Sequence, residues 1–352
     1  MPPIRRIFLS ALLGILAGLL AMHQRTGGVL PTPSQAEAKP LALYRTFLPI
    51  VLQAGTPFPP LHQTSYYMKT VDINHSWSLG CALGLADEAT PGVQNTIIVL
   101  AYGTPRNLGG GVYGTSLFGF GPVSTSQISA AVQMMAVGYW YCADQDRQSV
   151  LNIAIGTNNY GSAVTYEHGQ AWAGMVNDTQ QWVVNNGYAG QVLVTGASDM
   201  ELGWNTPSTT RAWVNGYDSV NLWRLYNFGD AAGCPPYGDC GTGAYPEWTV
   251  EDVWYISWGA SPSWPLPLIY TTSGSLAEQW YRMSLYGYTQ HGQRMDIAGV
   301  VTQWQACQQR GGCSGTNNTP EQGYMQLYNK LNADWRTAQS INWSLDFKWW
   351  GE

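Results

Sequence analysis

Two acidic side chains that directly follow an apolar segment have the types and spacing best suited to catalysis in this chain. Asp199 and Glu201 come after the run 190–198 and before Trp204. Side chains of a strand alternate between its faces, so residues 199 and 201 are predicted to project to the same side. Glycosidic bond cleavage needs a proton donor and a second carboxylate that stabilises or attacks the sugar cation. Glu201 is therefore the candidate general acid, and Asp199 the charged assistant.

The alternative interpretation is that these two acids are ordinary loop carboxylates, with Asp199 capping a helix or forming a turn. Their position argues for chemistry, because they follow the fourth predicted strand of a chain in which only 11% of residues are charged. Glu167, which precedes His168 after the third predicted strand, is a second candidate acid.

Polar and aromatic side chains stand at the ends of the other predicted strands and could bind a sugar. Amides and acids match sugar hydroxyl groups, and aromatic rings with polar tips match the apolar faces. The candidate substrate-binding residues are Asp72, His75, Tyr102, Asn158, Trp204, Asp230, Trp258, Tyr270, Gln303 and Trp304. A structural role is the alternative for His75.

The elements that must position these residues alternate between strand and helix. β-rich runs predict eight strands, at 70–73, 96–102, 150–155, 191–195, 220–226, 253–257, 266–270 and 296–302. Helices are predicted at 124–141, 166–185, 208–215, 275–288 and 321–335. This order is typical of an α/β protein with a (β/α)8 TIM-type barrel, here irregular and with disulfide-bearing loops. The carboxyl ends of the strands of such a barrel carry the active site.

The charge and the cysteines limit the classes of partner. The net charge is −6, and no Lys/Arg-rich run follows the first few residues, so we exclude nucleic acid. The C-x5-C spacings predict the bridges Cys234–Cys240 and Cys307–Cys313, which leaves Cys81 with Cys142, although six cysteines allow fifteen pairings. A zinc site is the competing interpretation, but no Cys-x-x-Cys pair is present. We expect no metal and no cofactor.

The ends of the chain suggest export and a tethered domain. Arg5 and Arg6 precede an apolar run at 7–22, which is typical of an export signal. We predict an export signal or N-terminal anchor at 1–22, a tether at 23–64, the barrel at 65–310, and at 311–352 a C-terminal helix and Trp-rich tail packing on the barrel. The protein is expected to be extracytoplasmic, secreted or anchored at the cell surface, and to contact a membrane only through an uncleaved N-terminal segment.

Four short motifs resemble glycoside hydrolase family 25 lysozymes, or the looser group of related bacterial barrels. They are Val71-Asp-Ile-Asn-His-Ser-Trp77, Asp199-Met-Glu201, Pro267-Leu-Ile-Tyr-Thr-Thr-Ser273 with Trp280, and Thr302-Gln-Trp-Gln305. The resemblance spans about residues 66–308. It implies a general acid at Glu201, assistance from Asp199, and support from Asp72.

The chain also departs from that family. Cys307 and a Gly-rich loop stand where the family usually carries a further Asp, and the stretch 205–265 is longer than the family's. Two hypotheses follow. The first is an exported glycosidase that cleaves a glycan such as a cell-wall polysaccharide. The second is a non-catalytic carbohydrate-binding or cell-surface module with a degenerate glycosidase barrel.

Overall fold

The chain folds into a mixed α/β structure. The computed structural model describes residues 58–241, 245–315 and 317–350; the predicted export segment and the tether up to residue 57 lie outside them. The strands are β1 (Gln63–Met68), β2 (Asn95–Ala101), β3 (Thr104–Gly109), β4 (Val112–Ser116), β5 (Pro122–Ser124), β6 (Val150–Asn158), β7 (Val192–Asp199), β8 (Leu225–Asn227), β9 (Ser263–Pro265), β10 (Gly299–Thr302) and β11 (Trp343–Trp350).

Helices occupy the connections between these strands. They are α1 (Ile73–Ala89), α2 (Thr125–Cys142), α3 (Tyr166–Asn185), α4 (Pro207–Val220), α5 (Val250–Trp254), which continues as a π-helical turn (Tyr255–Gly259), α6 (Ser275–His291), α7 (Trp304–Gln309) and α8 (Pro320–Asn332). The five predicted helices are confirmed as α2, α3, α4, α6 and α8. The capping box that predicted α2 is formed, with Ser124 and Gln127 bonding each other's backbone.

Eight strands form one parallel sheet that is nearly closed, as a TIM-type barrel requires. The hydrogen-bonded order is β10-β11-β1-β2-β6-β7-β8-β9. The backbone just after β9 reaches across the remaining edge, because Val301 N donates to Pro267 O at 2.9 Å and Ile269 N donates to Val301 O at 2.8 Å. The other three strands, β3, β4 and β5, form a small antiparallel sheet. In the chain they follow β2 and precede α2.

Side-chain alternation along the strands creates two apolar layers. In β2, Ile97, Val99 and Ala101 belong to one buried cluster with Phe347 of β11. The intervening Ile98 and Leu100 belong to a second, larger cluster that includes buried helical residues such as Trp172. Odd-numbered residues of β2 therefore face the interior of the sheet, and even-numbered ones face the helices.

The tail corrects the predicted domain boundaries. Residues 311–352 do not merely pack on a barrel that ends at 310, because β11 lies between β10 and β1 and pairs with both in parallel. Leu345, Phe347 and Trp349 project into the interior cluster. Sequence patterning missed this strand because its charged Asp346 and Lys348 suggest a solvated surface.

Two predicted strands are wrong, and a third is misplaced, because the segment 266–270 holds only an isolated bridge from Leu268 to Val301 and the strand β9 precedes it. The segment 70–73 is not a strand: β1 ends at Met68, and Asp72 is the N-cap of α1, accepting from the N–H groups of Asn74 and His75. The segment 253–257 is helical, because Thr249 and Asp252 form a capping box that initiates α5. The count of eight was preserved because β1 and β11 take the places of these two segments.

All three predicted disulfides are present: Cys81–Cys142, Cys234–Cys240 and Cys307–Cys313. The first joins α1 to α2, and the other two close short loops. Three such bridges indicate an oxidising, extracytoplasmic environment. In the part of the chain that the structure describes, no helix has the length and apolarity needed to span a membrane.

A buried carboxylate fixes the last strand to the helix beside it. Asp346 is fully buried and accepts hydrogen bonds from Thr302 Oγ1 at 2.7 Å, Trp304 N at 2.7 Å and Gln305 N at 2.9 Å. These last two N–H groups have no partner within α7, because they lie in its first turn. Asp346 therefore caps α7 from a neighbouring strand.

We expect Asp346→Ala to lower the free energy of unfolding by about 2–4 kcal/mol, since one buried and two part-buried donors lose their acceptor. Chemical denaturation measures the change. Asp178→Ala is the matched control, because Asp178 is exposed on α3. Equal stability of the two variants would contradict the capping role.

Candidate active site

One cavity lies where the interior of the sheet opens at the carboxyl ends of its strands. Its volume is about 420 Å³. Its lining residues come from β1, β2, β6, β7 and β11, from the loops that follow β4, β7, β8, β9 and β10, and from α7 and the loop after it: Tyr67, Ala101, Phe118, Thr157, Asn158, Asp199, Glu201, Trp204, Phe228, Tyr270, Gln303, Ala306, Cys307, Arg310, Gly312 and Trp349. Six of the residues predicted from sequence are thus brought together: Asn158, Asp199, Glu201, Trp204, Tyr270 and Gln303.

The two acids reach this cavity because alternation continues past the end of β7. Asp199 and Glu201 line the cavity, whereas Met200 and Leu202 are buried in the apolar layer that faces the helices. Asn158 is the register partner of Asp199 on β6, so an amide lies beside the acid. The sequence period thus places both carboxyl groups on one side, as predicted.

Asn159 holds the backbone of Glu201 by two hydrogen bonds. Glu201 N donates to Asn159 Oδ1 at 3.1 Å, and Asn159 Nδ2 donates to Glu201 O at 3.0 Å. Asn159 Nδ2 also donates to Thr210 Oγ1 at 3.1 Å. This arrangement fixes the residue beyond β7, where ladder hydrogen bonds have ended. Asn159 therefore acts as a positioning residue for Glu201.

Asp230 lies behind the acids and completes a group of three carboxyls. Its Oδ1 accepts from Leu202 N at 3.2 Å, and its own N–H donates to Met200 O at 3.3 Å. The preceding Gly229 permits this close approach, because a Cβ there would lie 2.1 Å from Met200 O. Asp230 does not line the cavity but borders it through these contacts.

Burial raises the pKa values of all three carboxyl groups. The pKa of Asp199 lies well above its ordinary range, because the side chain is buried and because Glu201 and Asp230 are close. Burial and the charge of Asp230 raise the pKa of Glu201 to about 7. Burial also raises the pKa of Asp230, but N–H groups of Leu202 and Ala232 oppose that rise. The three carboxyls therefore titrate as an interacting group, in which the charge of Asp230 disfavours the ionisation of Asp199 and Glu201.

Aromatic rings form one wall of the cavity. Tyr67 stacks on Phe347 with ring centroids 4.3 Å apart, and its ring lies 4.7 Å from that of Trp349. Phe118, from the loop after β4, meets both Tyr67 and Trp349 edge to face. Burial raises the pKa of Tyr67, and the acids Asp199 and Glu201 raise it further. Its hydroxyl thus stays protonated near the acids.

Five predicted site residues lie outside the cavity. Asp72 and His75 are exposed at the start of α1. Tyr102 is fully buried in the layer between sheet and helices. Trp258 lies in the π-helical turn, and Trp304 begins α7 with its N–H bonded to Asp346; neither lines the cavity. The misplaced strands explain Asp72, His75 and Trp258, because their positions followed from the segments 70–73 and 253–257.

Sequence reasoning missed Tyr67, Trp349 and Arg310. The run Ser65-Tyr-Tyr-Met68 is β-rich and apolar, and this signal could have placed β1 correctly. Trp349 depends on the pairing of β11, and Arg310 depends on the course of the loop after α7. Neither position carries a local signal for a cavity.

Among the described residues, no group of three or more His, Cys, Asp or Glu side chains is arranged to hold a metal ion. Comparisons with models of known protein families, with curated proteins and with solved structures find no match to this chain. Any assignment of function therefore depends on the geometry and electrostatics of the cavity.

Proposed function

We propose that this protein is a secreted or surface-anchored glycosidase that cleaves a glycan, with Glu201 as general acid. The single observation that carries the proposal is the pKa of Glu201, raised to about 7 in a cavity shared with Asp199. A general acid works best when its pKa is close to the working pH. An unperturbed Glu would be ionised at neutral pH and could not donate a proton.

Asp199 supports the same reaction. Its Oδ1 is buried and has no hydrogen-bond partner among the described residues. An unpartnered buried carboxyl oxygen at a cavity is costly unless a ligand group meets it. A sugar hydroxyl, or the positive charge that develops on a sugar ring during cleavage, would stabilise it. The resemblance to family 25 implies this same division of roles between the two acids.

The walls suit a sugar in size and chemistry. Asn158 and Gln303 offer amide groups that donate and accept hydrogen bonds, while Trp204, Tyr67 and Trp349 offer aromatic surface. A volume of about 420 Å³ lies within the range typical of small-molecule sites. This combination of rings, amides and paired acids is what a glycan-cleaving site requires.

One observation favours a second function, a non-catalytic carbohydrate-binding module. Burial raises the pKa of Asp199 well above its ordinary range, which favours the neutral form of this carboxyl group. A neutral Asp199 could bind a hydroxyl group but could not stabilise a sugar cation. Glycan binding without cleavage would be the result.

We expect Glu201→Gln to reduce glycan hydrolysis by about 10²–10⁴-fold while leaving binding intact, because the amide keeps the shape but cannot donate the proton. Release of reducing ends from peptidoglycan and from a panel of polysaccharides measures cleavage. Glu167→Gln is the matched control, because Glu167 is exposed on α3 outside the cavity. Binding by wild type with no cleavage of any substrate would favour the binding module instead.

The pH dependence of cleavage should follow Glu201. The acid must be protonated, so activity should fall above a pH of about 7. Asp230→Asn removes a negative charge that raises this pKa, and the fall should then begin at lower pH. Profiles of kcat/KM against pH measure the shift, with Asp178→Asn as control. An unchanged profile in Asp230→Asn would contradict the coupling of the carboxyls.

The raised pKa of Glu201 should also appear in the pH dependence of the free energy of unfolding, measured without substrate. The pKa of Glu201 in the folded chain, about 7, exceeds its ordinary value of 4.5. A raised pKa means that the contribution to stability is complete below pH 4.5 and is lost as the pH rises through 7. Glu201→Gln should match wild type at pH 4.5 and exceed it at pH 8 by about 1–3 kcal/mol in urea denaturation. A difference that does not change with pH would refute the raised pKa.

A further inference from the structure

We propose that the glycan bound by this protein carries a negatively charged group, a carboxylate, sulfate or phosphate, and that Arg310 binds it at the rim of the cavity. That the ligand is a glycan rests on the proposed function. Recognition of the charge by Arg310 is measured separately from cleavage.

Arg310 is the one Lys, Arg or His among the described residues that line the cavity. Its guanidinium lies over the ring of Trp349, with Cζ 3.6 Å from the ring centroid. The side chain is exposed, and within the described part of the chain it forms no ion pair and donates no hydrogen bond. Its five N–H donors are therefore all available to a ligand.

Several contacts hold Arg310 and Trp349 in place. The side chain of Gln309 forms hydrogen bonds with both backbone groups of Trp349. Trp349 N donates to Gln309 Oε1 at 2.7 Å, and Gln309 Nε2 donates to Trp349 O at 3.2 Å. The disulfide Cys307–Cys313 closes the loop that contains Arg310, and Cys307 itself lines the cavity. The guanidinium is thus presented by an anchored loop, which lowers the entropic cost of binding a ligand.

The acids of the cavity do not serve as partners for this cation. The pKa values of Asp199 and Glu201 are raised by burial and by neighbouring carboxyls, and no cation lowers either of them. Arg310 and the acids therefore occupy separate regions of one cavity. A glycan with its charged substituent at Arg310 can place an uncharged ring at the acids. A neutral glycan would leave the cation without a partner.

The chemistry of the rim favours an oxyanion. A planar guanidinium binds carboxylate, sulfate or phosphate oxygens through paired N–H donors. Lys69 lies near the same ring, with its Nζ 5.3 Å from the Trp349 ring centroid. The whole chain carries a net charge of −6, so general electrostatics would repel an acidic polymer. A local cationic position at the cavity is what such a ligand would need.

Affinity electrophoresis tests the proposal. Native gels would contain polygalacturonate, its fully methyl-esterified form, a sulfated galactan (carrageenan) or an unsulfated galactan, so that each charged polymer has an uncharged counterpart. We expect wild type to bind at least one charged polymer about tenfold or more tightly than its counterpart. Arg310→Gln should lose this preference, and Arg310→Lys should keep part of it. Which charged polymer is bound distinguishes carboxylate from sulfate recognition.

Arg147→Gln is the matched control. Arg147 stacks on Trp140 in a similar way, with Cζ 4.3 Å from the ring centroid, but it does not line the cavity. The control should retain the wild-type preference. The proposal is overturned if wild type prefers neither charged polymer, or if Arg310→Gln keeps the preference while its thermal unfolding matches wild type.

Cleavage separates this proposal from the proposed function. Glu201→Gln should retain the preference for the charged polymer although hydrolysis is lost. If wild type cleaves no glycan but prefers charged polymers in a way that depends on Arg310, the proposed enzymatic activity is contradicted and the charge recognition is supported. Cleavage of charged and neutral glycans alike at rates that Arg310→Gln leaves unchanged would remove the charge recognition and leave the enzyme.

Discussion

The parallel pairing of β11 with β10 and β1 is the constraint on which the rest of the structure depends. Residues 343–350 form β11, which lies between β1 and β10. This strand brings Phe347 and Trp349 into the interior of the sheet. Asp346 on the opposite face fixes the start of α7. Without this strand the interior would lose its aromatic wall and the sheet would have an open edge, which is a liability in a soluble protein.

The properties of the candidate active site follow from the burial of carboxyl groups in the interior of the sheet. Alternation places Asp199 and Glu201 on the interior side, where burial and neighbouring carboxyls disfavour their ionised forms. Burying such groups costs free energy, and proteins accept that cost where perturbed acids are useful. The raised pKa values and the unpartnered Oδ1 of Asp199 are therefore two consequences of one physical cause, the removal of carboxyl groups from water.

The rim of the cavity has the opposite character. Arg310 is exposed and lies over the buried ring of Trp349, and both are supported by Gln309 and by the Cys307–Cys313 loop. Aromatic stacking holds the guanidinium without neutralising it, because the ring carries no net charge. A neutral acid region and a cationic rim can thus share one cavity of about 420 Å³.

Local sequence determined the elements whose signals are local. Periodicity and capping residues predicted five helices, the central strands β2, β6 and β7, and the shared side of Asp199 and Glu201, while cysteine spacing predicted all three disulfides. Only the tertiary structure decided that β11 belongs to the sheet and that Tyr67, Arg310 and Trp349 meet at the cavity. These outcomes depend on pairing between segments far apart in the chain, and the free energy of such pairing comes from burial that no local pattern records.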